Sequence, residues 1–279
     1  MFDGVHLGHQ FVLRHVAQTA CERGLASMAI TFDAPADSRK PILTPLDEKL
    51  TLLQTTGIDR VEVLTFNEAL RLMTAREFMQ QVLRDRLGVH ILLTGYDNRF
   101  GHNREEGFED YVRYGRELGI EVLQLPAEGE VSSSLIRNHI TAGRVAEAAR
   151  SLGHPYTVAG RVEHGEHIGT RLGFPTANIE PACRQQLLPA PGVYAVRVLI
   201  GNVEFGGMMN IGSRPTFGIH EQTLEVNLFH FEDNLYCSQL TVAFVARLRN
   251  EHRFDSAESL KAQLHADALQ AAKVLDMKI

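Results

Sequence analysis

Cysteine is scarce in this sequence, and basic residues do not outnumber acidic ones. The three cysteines, Cys21, Cys183 and Cys237, are widely spaced along 279 residues, which indicates neither a disulfide framework nor a CxxC metal site. The net charge of −6 excludes a general attraction to nucleic acid or anionic lipid, so an anionic substrate needs local binding groups. No run of 18 apolar residues and no signal-peptide pattern is present. We therefore expect a cytoplasmic protein without nucleic-acid or membrane partners.

The hydrophobic pattern of the first half predicts alternating strands and helices. Thr74 and Glu77 have the spacing of a capping box, which indicates that a helix begins there. Alternating strands and helices form parallel sheets that bind ligands at the carboxyl ends of the strands. The strand-like runs are 27–33, 61–66, 91–97 and 121–126.

From about residue 155 the apolar residues alternate at period two, without intervening helices, which predicts a small antiparallel barrel. The strand-like runs are 192–200, 224–231 and 239–249. In the last run we expect Leu240, Val242, Phe244, Ala246 and Leu248 on one face, and Arg247 and Arg249 on the other. A helix over about 256–275 follows, with Leu260, Leu264, Ala271 and Leu275 on its buried face. We predict two domains, 1–153 and 154–279.

The segment FDGVHLGH near the start of the chain places two imidazoles before an amphipathic helical run. Gly8 lets the backbone approach a ligand closely, and the free N–H groups of a helix N-terminus favour phosphate. His6 and His9 would then suit nucleotidyl transfer, because they can stabilise charge on an α-phosphate as pyrophosphate leaves. The same four-residue HxGH pattern also fits a turn with two surface histidines.

Two further segments carry polar groups suited to a triphosphate. In GYDNRFG, Asp97 and Arg99 directly follow a predicted strand, which places them at the carboxyl edge of the sheet. In VSSSLIR, Ser133 and Ser134 stand at a predicted helix start, with Arg137 one turn further on. Serine hydroxyls and an arginine can bind phosphate oxygens, although a serine cluster is also a common helix cap.

The segment GRVEHGEHIGTRLGFPTANI is rich in glycine and ends in a Pro-Thr-Ala-Asn sequence. Its glycines recur every four residues, at Gly165, Gly169 and Gly173. Thr176 and Asn178 supply neutral oxygen ligands two residues apart, which suits Mg²⁺ shared with ATP phosphates; a turn with a hydrogen-bonded asparagine is the alternative. Glu225 faces away from its apolar neighbours in a predicted strand, so it points either into a polar site or into solvent.

Taken together and in this order, these motifs resemble the bacterial bifunctional riboflavin kinase/FMN adenylyltransferase (FAD synthetase) family, over essentially all 279 residues. The resemblance implies an N-terminal Rossmann-like nucleotidyltransferase domain and a C-terminal flavokinase β-barrel with a terminal helix. It implies ATP-dependent phosphorylation of riboflavin to FMN, and adenylylation of FMN to FAD with release of pyrophosphate. Mg²⁺ is the implied cofactor, ATP the co-substrate, and FMN and FAD the products.

The resemblance also implies roles for individual residues. Glu225 is the implied base of the kinase, and His6 and His9 are the implied catalytic residues of the adenylyltransferase. Flavin contacts are implied at Arg249 and Phe254, beside the terminal helix. The implied nucleotide-binding residues are Gly8, Asp97, Arg99, Ser133, Ser134, Arg137, Gly165, Gly169, Arg171, Gly173, Thr176 and Asn178, of which Thr176 and Asn178 also bind the metal.

The sequence departs from the family pattern at its start, where the strand that precedes FDGVHLGH in the family is absent. We expect a fragment with a misplaced start. One alternative is a riboflavin kinase whose adenylyltransferase domain is inactivated by N-terminal truncation, and another is a non-catalytic flavin or nucleotide sensor. A smaller departure is Asn227, which stands where histidine is common in the family.

Overall fold

The computed structural model describes residues 2–34, 40–96, 98–126, 129, 131–163, 173–216, 219–231, 233 and 235–278, without the side chains of 213–216 and 219–221. The chain divides into two compact units, Met1–Ser132 and Ser133–Ile279.

In the first unit, short parallel strands alternate with helices, as the sequence predicts. The strands are β1 (Met28–Phe32), β2 (Arg60–Leu64), β3 (Ile91–Thr94) and β4 (Glu121–Gln124). The helices are α1 (Leu7–Arg23), α2 (Leu46–Gln54), α3 (Glu68–Leu72), α4 (Ala75–Glu77) and α5 (Phe108–Leu118), with a π-helical turn at Phe78–Arg86 and a 3₁₀ turn at His102–Arg104. The capping box of Thr74 and Glu77 is confirmed at the start of α4.

The strands of the first unit form two separate parallel pairs. β1 pairs with β2 and β3 pairs with β4, and no ladder joins the two pairs within the described part of the unit. Two apolar clusters cover these strands, and Ile30 of β1 packs in the cluster of the second pair. Beside β1, helix α1 buries Leu13 and α2 buries Leu53, while α5 buries Tyr111 over the second pair.

The second unit begins with two helices and continues into the predicted antiparallel barrel. The helices are α6 (Ser133–Thr141) and α7 (Val145–Leu152). The strands are β5 (Tyr156–Glu163), β6 (Ala177–Pro181), β7 (Gly192–Ile200), β8 (Val203–Thr216), β9 (Ile219–Leu228) and β10 (Gln239–Arg249). They close in the order β10-β5-β6-β9-β8-β7. Alternate residues fill the interior, including Val158, Tyr194, Val196, Met209, Val226 and Phe244.

The predicted face of strand β10 holds only as far as Phe244. The register with β7 shifts between Phe244 and Ala246, which marks a β-bulge. Beyond it, Leu248 packs with Val245 in the apolar cluster under the terminal helix, so it does not continue the inward face of Phe244. The prediction of one continuous face was therefore wrong, because the extra residue of a bulge reverses the sides of the strand.

The terminal helix, α8 (Ala257–Leu275), covers the outer face of β7, β8 and β10. Its predicted buried residues Ala271 and Leu275 are almost fully covered, and Leu260 and Leu264 are half-buried. Alanines on this face permit close approach to the barrel, since Ala268, Ala271 and Ala272 lie in one cluster with Phe174 and Met208.

Helix α7 packs on the barrel strands β5 and β10, and α6 packs on α7. The turn between the helices, at Gly143, lies against Tyr194 and Arg247. Arg247 donates hydrogen bonds to the carbonyl oxygens of Ala142 and Pro191, and burial raises the pKa of the Tyr194 phenol to about 12. The compact units thus divide before these helices, whereas the predicted domain boundary follows them.

Candidate active sites

The HxGH segment forms the N-terminal cap of α1. The imidazole Nδ1 of His6 accepts a hydrogen bond from the backbone N–H of His9 at 3.3 Å. The two imidazole rings stack with their centroids 3.6 Å apart and their planes 17° apart. A Cβ atom at Gly8 would lie 3.3 Å from the His6 ring, so glycine leaves room for that ring to fold over the helix start. The structure therefore brings His6, Gly8 and His9 together.

His9 is held in its neutral form. Burial lowers the pKa of His9 well below its usual value, and the neighbouring charge of His6 lowers it further. The Nδ1 atom of His9 is buried and has no hydrogen-bond partner among the described residues. A neutral imidazole at a helix N-terminus can donate a hydrogen bond to an anionic ligand through its ring N–H.

Two buried charged residues that sequence analysis did not single out hold the segments around this helix start. The Asp3 carboxylate accepts hydrogen bonds from the backbone N–H groups of Leu43 at 3.0 Å and Thr44 at 3.2 Å. The Lys49 ammonium donates to the Phe32 carbonyl, at the carboxyl end of β1, at 2.9 Å. Burial lowers the pKa of Lys49, and the charge of Asp3 opposes that shift. No local pattern marks these contacts, because Asp3 and Leu43 are 40 residues apart.

The other predicted nucleotide-binding residues are more dispersed. Arg99 is exposed beyond the carboxyl end of β3, and Asp97 lies outside the described residues. Ser133 and Ser134 begin helix α6, and Arg137 lies one turn further along it, as the sequence predicts for a helix start. Gly165, Gly169 and Arg171 lie outside the described residues. The assignment of all these residues to a nucleotide stays a prediction.

The second unit contains a cavity of about 320 Å³ between the outer face of the barrel and α8. Four residues that the sequence assigns to kinase chemistry line it: Thr176, Glu225, Arg249 and Phe254. Its other lining residues are Phe174, Val193, Met208, Asn210, Asn227, Glu251, His252, Leu260 and Leu264. Gly173 directly precedes this set along the chain.

The strand register aligns the polar groups of this cavity. Glu225 on β9 lies opposite Asn178 on β6 and Asn210 on β8. Directly opposed residues in antiparallel strands project from the same face, so these three side chains share the outer face of the barrel. Leu224 and Val226 are buried on the inner face. Glu225 therefore faces the cavity, while Asn178 stands opposite it without lining the cavity.

Asn227 holds the Pro-Thr-Ala-Asn segment in place. Its side-chain amide donates a hydrogen bond to the Pro175 carbonyl at 2.7 Å, and Asn227 is buried. Thr176 is the next residue, so this bond fixes the backbone at the wall of the cavity. The asparagine that departs from the family pattern thus has a structural role here.

Arg249 and Phe254 meet at the side of the cavity nearest α8. The guanidinium carbon of Arg249 lies 5.6 Å from the centroid of the Phe254 ring, and the His252 ring packs edge-on against the same ring. Arg249 is also paired with Asp267, a buried residue of α8 that sequence analysis did not assign. The two partners are 18 positions apart in the chain, so no local pattern indicates the contact.

Comparison with known proteins supports both units. Residues 152–275 match the family model for riboflavin kinase, and residues 1–136 match that for FAD synthetase. The bifunctional riboflavin kinase/FMN adenylyltransferase of Escherichia coli (strain K12) is 37% identical, over 97% of this chain and 89% of its own. The protein of the same name from Pseudomonas fluorescens is 39% identical, over 97% of this chain and 89% of its own.

A solved structure with the same fold is described as a macrolide-efflux protein from Streptococcus pneumoniae. It superposes with a TM-score of 0.87 and 32% sequence identity, over 95% of this chain and 90% of its own. Among the described residues of the present chain, no helix is long and apolar enough to span a membrane.

The fold and the two family models together define an enzyme with a kinase barrel and a nucleotidyltransferase unit. The chain belongs to the bifunctional riboflavin kinase/FMN adenylyltransferase family.

Proposed function

We propose that the chain phosphorylates riboflavin to FMN in the barrel unit and adenylylates FMN to FAD in the first unit, each step using ATP. The observation that carries this proposal is the cavity in which Glu225 stands between Asn178 and Asn210. The family membership supports both reactions. We also propose a cytoplasmic location, as the sequence predicts.

The walls of the cavity suit a flavin ring. Phe174, Val193, Met208 and the two leucines of α8 supply apolar surface, and the carboxylate and amide groups stand together on the strand face. Small-molecule sites commonly combine apolar walls with a few placed polar groups. The ring system of riboflavin would pack on the apolar side, and its ribityl chain would reach Glu225.

Glu225 acts as the general base of the kinase reaction. Its carboxylate accepts the proton of the terminal ribityl hydroxyl while that oxygen bonds to the γ-phosphorus of ATP. The bond from the γ-phosphorus to its bridging oxygen breaks, and ADP leaves. No covalent intermediate on the protein is needed.

The donor set beside Glu225 fits Mg²⁺. Thr176 and Asn178 offer neutral oxygens, which are among the oxygen ligands that this ion accepts, and Glu225 stays free to act as the base. No cluster of three or more His, Cys, Asp or Glu side chains that could hold a metal occurs among the described residues. A site with few protein ligands, such as Thr176 and Asn178, suits an ion that shares its coordination with the phosphates of ATP. When bound, Mg²⁺ would neutralise charge on the phosphate oxygens.

In the first unit, the start of α1 would act on the α-phosphate of ATP. A phosphate oxygen of FMN attacks the α-phosphorus, the bond from the α-phosphorus to the oxygen that bridges it to the β-phosphorus breaks, and pyrophosphate leaves with that oxygen. The two imidazoles and the helix N-terminus stabilise charge on the phosphate oxygens, and the neutral state of His9 lets it donate a hydrogen bond there. We propose that the predicted residues Asp97 and Arg99 contribute further phosphate contacts, and that Ser133, Ser134 and Arg137 bind nucleotide, as the resemblance implies.

Replacing the proposed base tests the assignment of the kinase site. The variant Glu225→Gln should reduce the initial rate of FMN formation by about 10²–10⁴-fold, the usual contribution of a general base. Riboflavin affinity, measured by quenching of flavin fluorescence, should stay within about threefold, which is about 0.6 kcal/mol of binding free energy. The reason is that the amide keeps the size of the side chain.

A matched control is Glu204→Gln on β8, whose exposed carboxylate pairs with Arg197 at 2.8 Å. This surface change should leave the rate within about twofold, since such changes usually stay within about 0.5 kcal/mol. Near-normal FMN formation by Glu225→Gln would remove Glu225 from the mechanism.

A further inference from the structure

Asp267 is a buried carboxylate on the face of α8 that meets the barrel. It is 1% exposed and accepts hydrogen bonds from two residues. Arg249 Nε donates to both carboxylate oxygens at 3.0 and 2.9 Å, and Arg249 Nη2 donates at 2.8 Å. Gln263, one turn before it on the helix, donates at 2.8 Å. Asp267 does not line the cavity.

The pair of Arg249 and Asp267 joins the last residue of β10 to the middle of α8. The segment between β10 and α8, residues 250–256, contributes Glu251, His252 and Phe254 to the cavity wall. Helix α8 itself contributes Leu260 and Leu264. The Arg249 side chain also lies over the Phe254 ring. One partly buried ion pair, in which Asp267 is fully covered, therefore links the loop and the helix that together form one side of the cavity.

The opposite side of the cavity is built independently of this pair. Thr176 follows the segment that Asn227 holds, and Glu225 is fixed by its ladders to β6 and β8. The hydrogen bonds that the Asp267 carboxylate accepts from the described residues come from Arg249 and Gln263, and neither of these is a group proposed for phosphoryl transfer.

We propose that Asp267 is a positioning residue for flavin binding, which fixes Arg249 and Phe254 and so sets the affinity for riboflavin without touching it. The inference rests on the proposed kinase function, because KM and kcat can be measured only if the chain phosphorylates riboflavin. It differs from a direct role of Arg249, whose guanidinium is largely committed to Asp267. Loss of the pair should weaken flavin binding and spare the chemical step.

The variant Asp267→Asn tests this directly, because it keeps the size of the side chain and removes its charge. We expect KM for riboflavin and the dissociation constant from flavin fluorescence to rise about tenfold. The value of kcat at saturating riboflavin should stay within about threefold. Glu258→Gln, which removes an exposed carboxylate from the first turn of the same helix, is the matched control and should leave both parameters unchanged.

Arg249→Met and the double variant separate positioning from direct contact. If the two residues act as one unit, the double variant should bind riboflavin no more weakly than Arg249→Met alone. A rise in KM for Arg249→Met with no change for Asp267→Asn would overturn the proposal. So would a loss of kcat in Asp267→Asn at unchanged KM, which is the result of a smaller folded fraction.

If Asp267→Asn does not fold, Asp267→Glu takes its place, since it keeps the charge but shifts the carboxylate by one methylene. A raised dissociation constant with unchanged kcat again supports positioning, and unchanged binding contradicts it. The fluorescence titration needs no ATP. A wild-type chain that binds riboflavin without phosphorylating it would refute the proposed kinase function and still leave the role of Asp267 testable.

Discussion

Gly143 offers a quantitative test of how helices α6 and α7 attach to the barrel. It has a left-handed backbone, with φ of 72°. A Cβ atom there would lie 2.8 Å from the Tyr194 hydroxyl oxygen and 3.0 Å from Cδ and Cζ of Arg247. Neither side chain can yield cheaply, because Tyr194 is fully buried and bonded to the Ala190 carbonyl, and Arg247 binds two carbonyl groups.

The variant Gly143→Ala should therefore cost more than backbone strain alone. The left-handed conformation costs an alanine about 1–2 kcal/mol. Forcing a methyl group into the packed contact adds about 1–3 kcal/mol. Together these terms give a loss of about 2–5 kcal/mol in the free energy of unfolding. For a unit of this size, each kcal/mol lowers the midpoint of thermal unfolding by about 2–4 °C.

Gly201→Ala separates strain from steric overlap in the same unit. Gly201 also has a left-handed backbone, with φ of 59°, but no described atom beyond its own chain neighbours lies within 4 Å of the position that an alanine methyl group would take there. It should lose only the strain, about 1–2 kcal/mol. Thermal unfolding followed by circular dichroism, with residual kinase activity as a second probe, compares the two variants. Equal losses would refute the close contact between Gly143, Tyr194 and Arg247.

The remaining predictions concern metal use and pH. Thr176→Val and Asn178→Ala should each raise the Mg·ATP concentration needed for half-maximal FMN formation. Riboflavin affinity should change little, and an equal loss of both would show that this segment does not serve the nucleotide. The lowered pKa of His9 gives stability that is complete above its unfolded value of 6.5 and is lost as pH falls below it. The midpoint of thermal unfolding of the wild type should therefore fall by more between about pH 7.5 and 5.5 than that of His9→Gln. Identical pH profiles of the two midpoints would contradict the buried neutral imidazole.

Local patterns in the sequence were enough to predict the element types and the direction of one candidate site residue, Glu225. The alternation of Leu240, Val242 and Phe244 is a property of one strand, and so is the outward direction of Glu225. The cap of α1 by His6 also depends on neighbours within one turn, but it was not predicted and was found in the structure. Each of these features can be read from residues close together in the chain.

Contacts between distant segments could not be predicted in this way. The pair of Arg249 and Asp267 depends on a bulge in β10 and on the position of α8 along the barrel. The hydrogen bonds from Leu43 to Asp3 join segments 40 residues apart. An amphipathic pattern shows that a helix buries one face, but it does not specify the surface that covers it. For that reason the packing of α6 and α7 on the barrel became apparent only in the structure.

The most direct test of the central claim is chromatographic analysis of products after incubating the chain with riboflavin, ATP and Mg²⁺. We predict that FMN forms first and FAD follows, with ADP and pyrophosphate as the co-products of the two steps. Formation of FMN alone would contradict the proposed function of the first unit. Riboflavin recovered unchanged, with neither FMN nor FAD, would contradict the account as a whole.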